Sequence, residues 1–448
     1  MKNVNEMEEL EIKKLSLKVS IPMVIAMISI SLYGILDTMF VSNIGSDALT
    51  TISLAIPIVA IITAVGLGTS IGVNAVLAKT LGEKNEEKVK KIILTGIVLI
   101  FISWLAIIVC GMLGLKPLLK SFTENKEIHR LGYEYLSVIF IFSIGSLYLI
   151  LFEKILEAYG KTKSSMIIQV LGAAINLVLD PILIFGLFGM PKLGIKGAAI
   201  STVAGQIIGM LLGLIIIFKN KIITWKDLKN IKIDRKVAKD IYKVGLPTMF
   251  LEAMSSFISL ILNKILFSFS ESAVSVWGIY YQLQKFIFII IYGLNYGMIP
   301  IIAYNWGAKK KERINQSLRF FLKLAIGITA ISGVIFFVFS KQLISIFNIS
   351  SDILNIGNIA FKILSCGFIF AGVSSVLSAS FQAFGNGTYS LVISMCRKII
   401  IVLPLIILLR DTLGINAVWV AFSIAEILTM IIALIFHRKI NRTVMTQI

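Results

Sequence analysis

The sequence predicts an all-α polytopic membrane protein, with twelve transmembrane helices in two six-helix lobes related by a pseudo-two-fold axis along the membrane normal. Three observations predict it. Of 448 residues, 57% are hydrophobic and only 15% are charged, with a mean hydropathy of +0.92, far more apolar than a soluble domain. The apolar residues gather in twelve runs, each roughly 20 residues or longer and so able to cross a bilayer as a helix. One long polar stretch divides these runs six and six. The chain therefore reads as an N-terminal lobe over 1–218, a linker over 219–239 and a C-terminal lobe over 240–448.

In order, the runs cover 15–42, 50–79, 91–114, 132–158, 164–187, 194–218, 240–268, 275–304, 315–339, 355–382, 388–410 and 413–436. Residues 1–18 are charged and mixed in sign, so no cleavable signal peptide is expected and the first run leads into a span. Connections on one side, including the linker and both ends, carry 28 Lys and Arg against 8 on the other. By the positive-inside bias both termini are cytoplasmic. The net charge of +19 resides in these loops and suits anionic lipid, with no nucleic acid as partner. Cys110, Cys366 and Cys396 fall inside apolar runs without metal-ligand spacing and read as packing residues. Two histidines, His129 and His437, do not make a His-ligated metal centre.

Sliding the chain on itself by 225 residues aligns Pro22 with Pro247, and Gly68, Gly72, Gly82, Gly132 and Gly160 with Gly293, Gly297, Gly307, Gly357 and Gly385. Chance gives about one glycine pair at any offset for this composition. Local motifs repeat too: LAKTLGEKNEEKVKK takes the place of IAYNWGAKKKERINQ, and LEAYGKTKSS that of FQAFGNGTYS. With six spans per half, the second half re-enters from the same side. The repeats are parallel, with a cleft expected between the lobes.

The first lobe holds two acids inside spans. Asp37 lies in SLYGILDTMFVSNIG, and INLVLDPILIFG places Asp180 one turn after Asn176, on the same helix face. Carboxylates avoid hydrocarbon unless paired, protonated or cation-bound. Two carboxylates and an amide converging between helices supply hard oxygens suited to Na⁺ or protons; structural polar residues near span ends are the other reading. Pro22 and Pro247 are candidate helix-bending positions. The second lobe does not repeat the acids: Asp37 corresponds to Leu262. It carries Glu252, Glu426 and the cations Lys264, Lys285, Lys362, Arg397 and Lys398. Lys285 and Arg397 sit too deep to snorkel, and pairing with Glu252 is expected. Aromatic residues such as Phe288, Tyr292, Tyr296 and Phe368, with Met249 and Met298, suit either a greasy substrate chamber or ordinary packing.

These features resemble the multidrug and toxic compound extrusion (MATE) family over nearly the whole chain. The likeness is carried by the spacing from Pro22 to Asp37, GLGTSIGVNAVLAKTLG, INLVLDPILIFG, GLPTMFLEA and PIIAYNWGAKK. The resemblance implies the MATE fold and secondary active export of amphipathic, often cationic organic compounds in exchange for Na⁺ or H⁺ by alternating access. The partners implied are small organic cations or drugs and the lipid bilayer, for a monomer in the bacterial inner membrane. It implies no enzyme activity and no cofactor beyond the coupling ion. The family's cation site carries over to Asp37, Asn176, Asp180 and Thr202, with Na⁺ a candidate at the first three. Glu252 matches an acid in span 7 and joins Lys285 and Arg397 as second-lobe candidates for substrate or coupling. The sequence departs from the family in span 10, where Lys362 stands in place of an acid. A flippase for lipid-linked saccharide or cell-wall precursors is the alternative, with Lys264, Lys285, Lys362 and Arg397 receiving a pyrophosphate. No HExxH or Ser/His pattern supports an intramembrane enzyme.

Overall fold

The computed structural model describes residues 2–229, 233–347 and 350–445; Lys232 of the expected linker lies outside them. After a short helix, Lys2–Glu9, twelve helices of spanning length follow: α1 (Ile12–Ser42), α2 (Ser46–Gly82), α3 (Glu86–Phe122), α4 (Lys126–Phe142 and Ile144–Ala158), α5 (Thr162–Phe185), α6 (Ile195–Lys219), α7 (Arg235–Phe267), α8 (Glu271–Gly307), α9 (Lys311–Val338), α10 (Ser351–Ser365 and Phe368–Ala383), α11 (Gly387–Leu413) and α12 (Asn416–Met445). Among the described residues nine are long and apolar enough to cross a membrane unaided, and α4 and α10 qualify as bent pairs. The 33-residue α7 completes the twelve. Large apolar side chains such as Leu113, Ile331, Ile407 and Leu408 are exposed around the outside, as a lipid-facing surface requires.

Starts and stops follow local chemistry. Asn85, Asn125, Asp234 and Ser270 each precede a helix and accept a backbone N–H from its first turn, satisfying donors that have no partner within the helix. Pro22 and Pro247 lie inside α1 and α7, which run through them unbroken. Two other helices are broken by sharp bends, α4 at Ser143, 44°, and α10 at Cys366 and Gly367, 49°. The breaks occupy matching helices of the two lobes.

The turns repeat in the same way. Lys84 and Lys309 take φ of 56° and 58°, and Gly160 and Gly385 take 70° and 71°. Gly194 before α6 (φ 55°, ψ −131°) is matched by Gly414 before α12 (φ 54°, ψ −133°).

Three of the aligned glycine pairs, Gly68 with Gly293, Gly72 with Gly297 and Gly82 with Gly307, sit where the lobes touch. Gly82 packs on the Tyr304 carbonyl and Gly307 on the Lys79 carbonyl; Gly68 packs on Met249 and Gly293 on Val24. Each pair of contacts is the other with 225 added or subtracted, the signature of a two-fold contact. No side chain fits there: a Cβ on Gly82 or Gly307 overlaps the facing backbone. These contacts fall in the halves of α1, α2, α7 and α8 nearest the linker side. The opposite half of α1, with the first half of α2, lines an open cavity instead. The lobes are therefore closed on the side carrying the linker and both termini, and the cleft opens on the other.

Candidate functional site

Three helices of the first lobe build the site. From α1 come Tyr33 and Asp37, one turn apart; from α5, Asn176 and Asp180; from α6, Ser201 and Thr202. Asp180 is fully buried. Ser201 donates to Asp180 Oδ1 in a short hydrogen bond. Asn176 Nδ2 faces Asp180 Oδ1 at 3.4 Å, Ser201 at 3.4 Å and Thr202 Oγ1 at 3.3 Å. The Asp37 carboxyl on α1 faces Asp180 on α5, and Tyr33 on α1 faces Thr202 on α6. Three buried oxygens have no partner: Asp37 Oδ1, Asn176 Oδ1 and Asp180 Oδ2. Buried acceptors are rarely left so, and hard oxygens of this kind suit a proton or an alkali cation. Among the described residues no three His, Cys, Asp or Glu side chains form a metal cluster; here an amide and hydroxyls complete the donor set.

The site opens on a cavity of about 540 Å³ lined by Tyr33, Asp37, Asn176, Thr202, Gln206 and Glu252, with no Lys or Arg in its described lining. Glu252 is the second lobe's one contribution to that acidic wall among these six. It is not the partner of Arg397, as the sequence suggested. Arg397 Nε donates to Glu426 Oε1 of α12 at 2.6 Å, because α11 packs along α12 at this depth. Lys285 forms no ion pair among the described residues and lines a separate second-lobe cavity with Arg397. Lys362 rests over the Phe337 ring, and neither it nor Lys264 lines that cavity, so the four cations considered for a pyrophosphate do not converge. Phe288, Tyr292 and Phe368 line this second cavity, whereas Met298, Phe381 and Phe384 are packed in the core.

Sequence reasoning missed three features. Tyr33 is four residues before Asp37, a helical spacing that was available. Ser201, beside Thr202, is the donor to Asp180. The third is a buried charge cluster on α4: Lys154 donates to Glu157 at 2.7 Å, Ser165 donates to Glu157 at 3.1 Å, and the Lys154 ammonium sits 4.0 Å from the ring centroid of Tyr296 on α8. Three charges in the apolar run FEKILEAYG were its signal.

Two pseudo-symmetric helical lobes, with ionisable side chains buried beside the cleft between them, are the architecture of a secondary transporter. The chain belongs to the MatE family, whose model matches residues 22–182 and again 247–408. The two matches begin at Pro22 and Pro247, the pair aligned by the 225-residue shift. The chain is 26% identical to the FAD transporter of Shewanella oneidensis, over 96% of this chain and 95% of that one. It is equally 26% identical to the multidrug export protein MepA of Staphylococcus saprophyticus, over 93% and 91%, and to MepA of Staphylococcus aureus, over 96% and 94%. Its fold superimposes on a crystal structure of a MATE protein in the bent conformation with a TM-score of 0.92, at 23% identity over 100% and 99% of the chains. An outward-facing MATE transporter gives 0.90 at 24% identity, over 99% of both. The chain is thus a multi-pass membrane transporter of this family.

Proposed function

We propose that the protein is a secondary active multidrug exporter, moving amphipathic, often cationic organic compounds outward in exchange for Na⁺ or H⁺, with Asp37, Asn176, Asp180 and Thr202 as the coupling site. The observation that carries this reading is the juxtaposition of two carboxyls with three buried oxygens that lack partners. Two neighbouring negative charges in a low-dielectric interior need a proton or cation to offset their repulsion. The MepA relatives, multidrug export proteins, support the substrate class. So does the larger cavity, whose wall presents Asp37 and Glu252 without a basic residue and so favours a cationic guest.

Coupling follows from where α1 lies. It packs on α5, which carries Asn176 and Asp180, and on α8 of the other lobe. Neutralising Asp37 and Asp180 changes the attraction between α1 and α5 and α6, and α1 passes the change to the lobe interface. A few kcal/mol of difference between states is enough to invert the populations. The Lys and Arg bias supports a cytoplasmic linker side, and on that reading this conformation faces outward, ready to release substrate and accept the driving ion. No bond is made or broken in this cycle; the chain acts as a carrier and not as an enzyme.

The test is efflux of a fluorescent organic cation from proteoliposomes under an imposed Na⁺ gradient and, separately, an imposed pH gradient. One gradient should drive wild-type efflux, and Asp180→Asn or Asp37→Asn should abolish it while the protein still inserts. Gradient-driven efflux by Asp180→Asn at the wild-type rate would remove the coupling assignment.

A further inference from the structure

The charges buried on α4 do not balance. Lys154 donates to both oxygens of Glu157, at 3.0 and 2.7 Å, and Ser165 of α5 donates to Glu157 Oε1 at 3.1 Å. Glu153, one turn earlier, is only 8% exposed and forms no ion pair among the described residues. Its neighbour is the Gln169 amide of α5, 2.6 Å from Oε1 and 3.3 Å from Oε2. The charges acting on Glu153 are Glu157, which repels it, and Lys154, already committed to Glu157. Helices α2, α3, α5, α6 and α8 pack against this half of α4. They add Asn74, which donates to the Lys154 C=O at 2.7 Å, and the Tyr296 ring under the Lys154 ammonium, but no further charge that acts on Glu153 among the described residues. With both carboxylates ionised the cluster carries one uncompensated negative charge, which a low-dielectric interior strongly disfavours.

Glu153 is also placed to communicate with the transport path. Leu149 and Ile150, in the preceding turn of α4, line the larger cavity, and so does Gln169 itself. Along α5, Gln169, Asn176 and Asp180 stand at i, i+7 and i+11, on a single face of the helix. Asp180 lies roughly 16 Å further along that axis, toward the open side, so the two acid sites occupy opposite ends of one wall. A neutral Glu153 donates its O–H to the Gln169 amide oxygen; an ionised one accepts from the amide N–H instead. The orientation of that amide in the cavity wall therefore follows the proton.

We infer that Glu153 is a second proton-exchange site of the carrier, loaded when the larger cavity is empty and discharged when an organic cation occupies it. On discharge the O–H bond of the carboxyl breaks, the electron pair stays on the carboxylate, and the proton leaves through the open cavity to water. The negative charge uncovered offsets the positive charge of the guest, so the total charge at this end of the cavity is conserved. The inference deepens the export reading and rests on it for the cationic guest; the exchange itself needs no part of the Asp37 and Asp180 site.

Calorimetric titration of the purified full-length protein in detergent, without any gradient, tests it. The probe is tetraphenylphosphonium, a fixed cation with no proton to give. Titrated at about pH 7 in phosphate and in Tris, buffers of different ionisation enthalpy, it yields the number of protons released per cation bound. Wild type should release on the order of one proton more than Glu153→Gln, and its affinity should rise with pH more steeply than that of the variant. Gln169→Leu leaves Lys154 and Glu157 in place and takes away the amide that stabilises the ionised carboxylate; it should also release less, and it decides if Glu153→Gln does not fold. No proton release by the wild type, or release by the variant equal to the wild type's, would overturn the inference. Asp180→Asn keeps the two readings apart. Release that does not depend on Glu153, with efflux abolished in Asp180→Asn, sinks only this inference; release that depends on Glu153, with efflux unaffected in Asp180→Asn, sinks only the coupling assignment.

Discussion

Glu8 accepts the Lys310 ammonium at 2.9 Å, and the same carboxylate takes Lys84 at 3.2 Å. Lys84 follows α2 and Lys310 follows α8, in the matching turns of the two lobes. The N-terminal helix is therefore a clip across the closed side, reinforced by Arg313 donating to the Met7 and Leu10 carbonyls at 3.0 and 2.8 Å.

A pH dependence with a definite sign comes from this clip. Lys310 first, then Lys84, holds the Glu8 carboxyl below its ordinary range. A depressed folded value means that the contribution is complete above the unfolded pKa, about 4.3 for Glu, and is lost as pH falls through the folded value. Spin labels at Glu87 and Gln316, at the starts of α3 and α9, should keep a constant separation from pH 8 to 5 in the wild type and spread only below that unfolded pKa. Glu8→Gln should populate the wider separation already at pH 7. Identical distance distributions in wild type and variant would show that the clip does not hold the closed side.

The buried Lys154 predicts a large stability effect. Removing it in Lys154→Met leaves Glu157 buried without its cation, a change that typically costs about 3–5 kcal/mol. Tyr296→Leu removes only the ring under the ammonium, about 0.5–2 kcal/mol. Thermal unfolding in detergent should rank the wild type above Tyr296→Leu and Tyr296→Leu above Lys154→Met. The reverse order would mean that Glu157 finds another partner.

Ser201 is expected to matter to transport as a donor. Its hydroxyl bonds Asp180, and a hydrogen bond to a charged group contributes roughly 1.5–3 kcal/mol. Ser201→Ala should slow ion-driven efflux about tenfold or more at unchanged expression, and Ser201→Thr should recover most of it. Efflux rates in proteoliposomes, normalised to inserted protein, decide.

Pseudo-symmetry makes a paired prediction. Gly82→Val and Gly307→Val insert equivalent clashes against the Tyr304 and Lys79 carbonyls and should each cost about 1–3 kcal/mol in the closed state. Gly327→Ala, where a Cβ meets nothing, is the control and should be silent. The two valines should increase thiol-reagent access at a cysteine placed at Ser20 to a similar extent; an effect from only one would break the equivalence of the two contacts.

Much of this molecule was legible in its sequence. Long apolar runs have one solution in a bilayer, a helix with every backbone group internally bonded, so the existence and order of α1 to α12 follow from hydropathy. The 225-residue shift found the interlobe glycines because close backbone approach admits no other residue. Asp37 and Asp180 stood out because ionisable groups are rare in hydrocarbon, and Asn176 through its one-turn spacing from Asp180. Ser201 and Tyr33 did not stand out, since hydroxyls are common in membrane helices and only helix rotation decides which one faces an acid.

Sequence by itself therefore determined the twelve spans, their division into repeats and which residues carry charge inside the membrane. Only the tertiary structure decided which charges meet. Arg397 chose Glu426 over Glu252 because α11 lies along α12 at that depth, and the π-turn at Cys396–Ile400, which no hydropathy pattern encodes, turned Lys398 into the same cavity. Pairing depends on helix neighbours and rotation, set by close packing of whole lobes, and that information is not present in any one span.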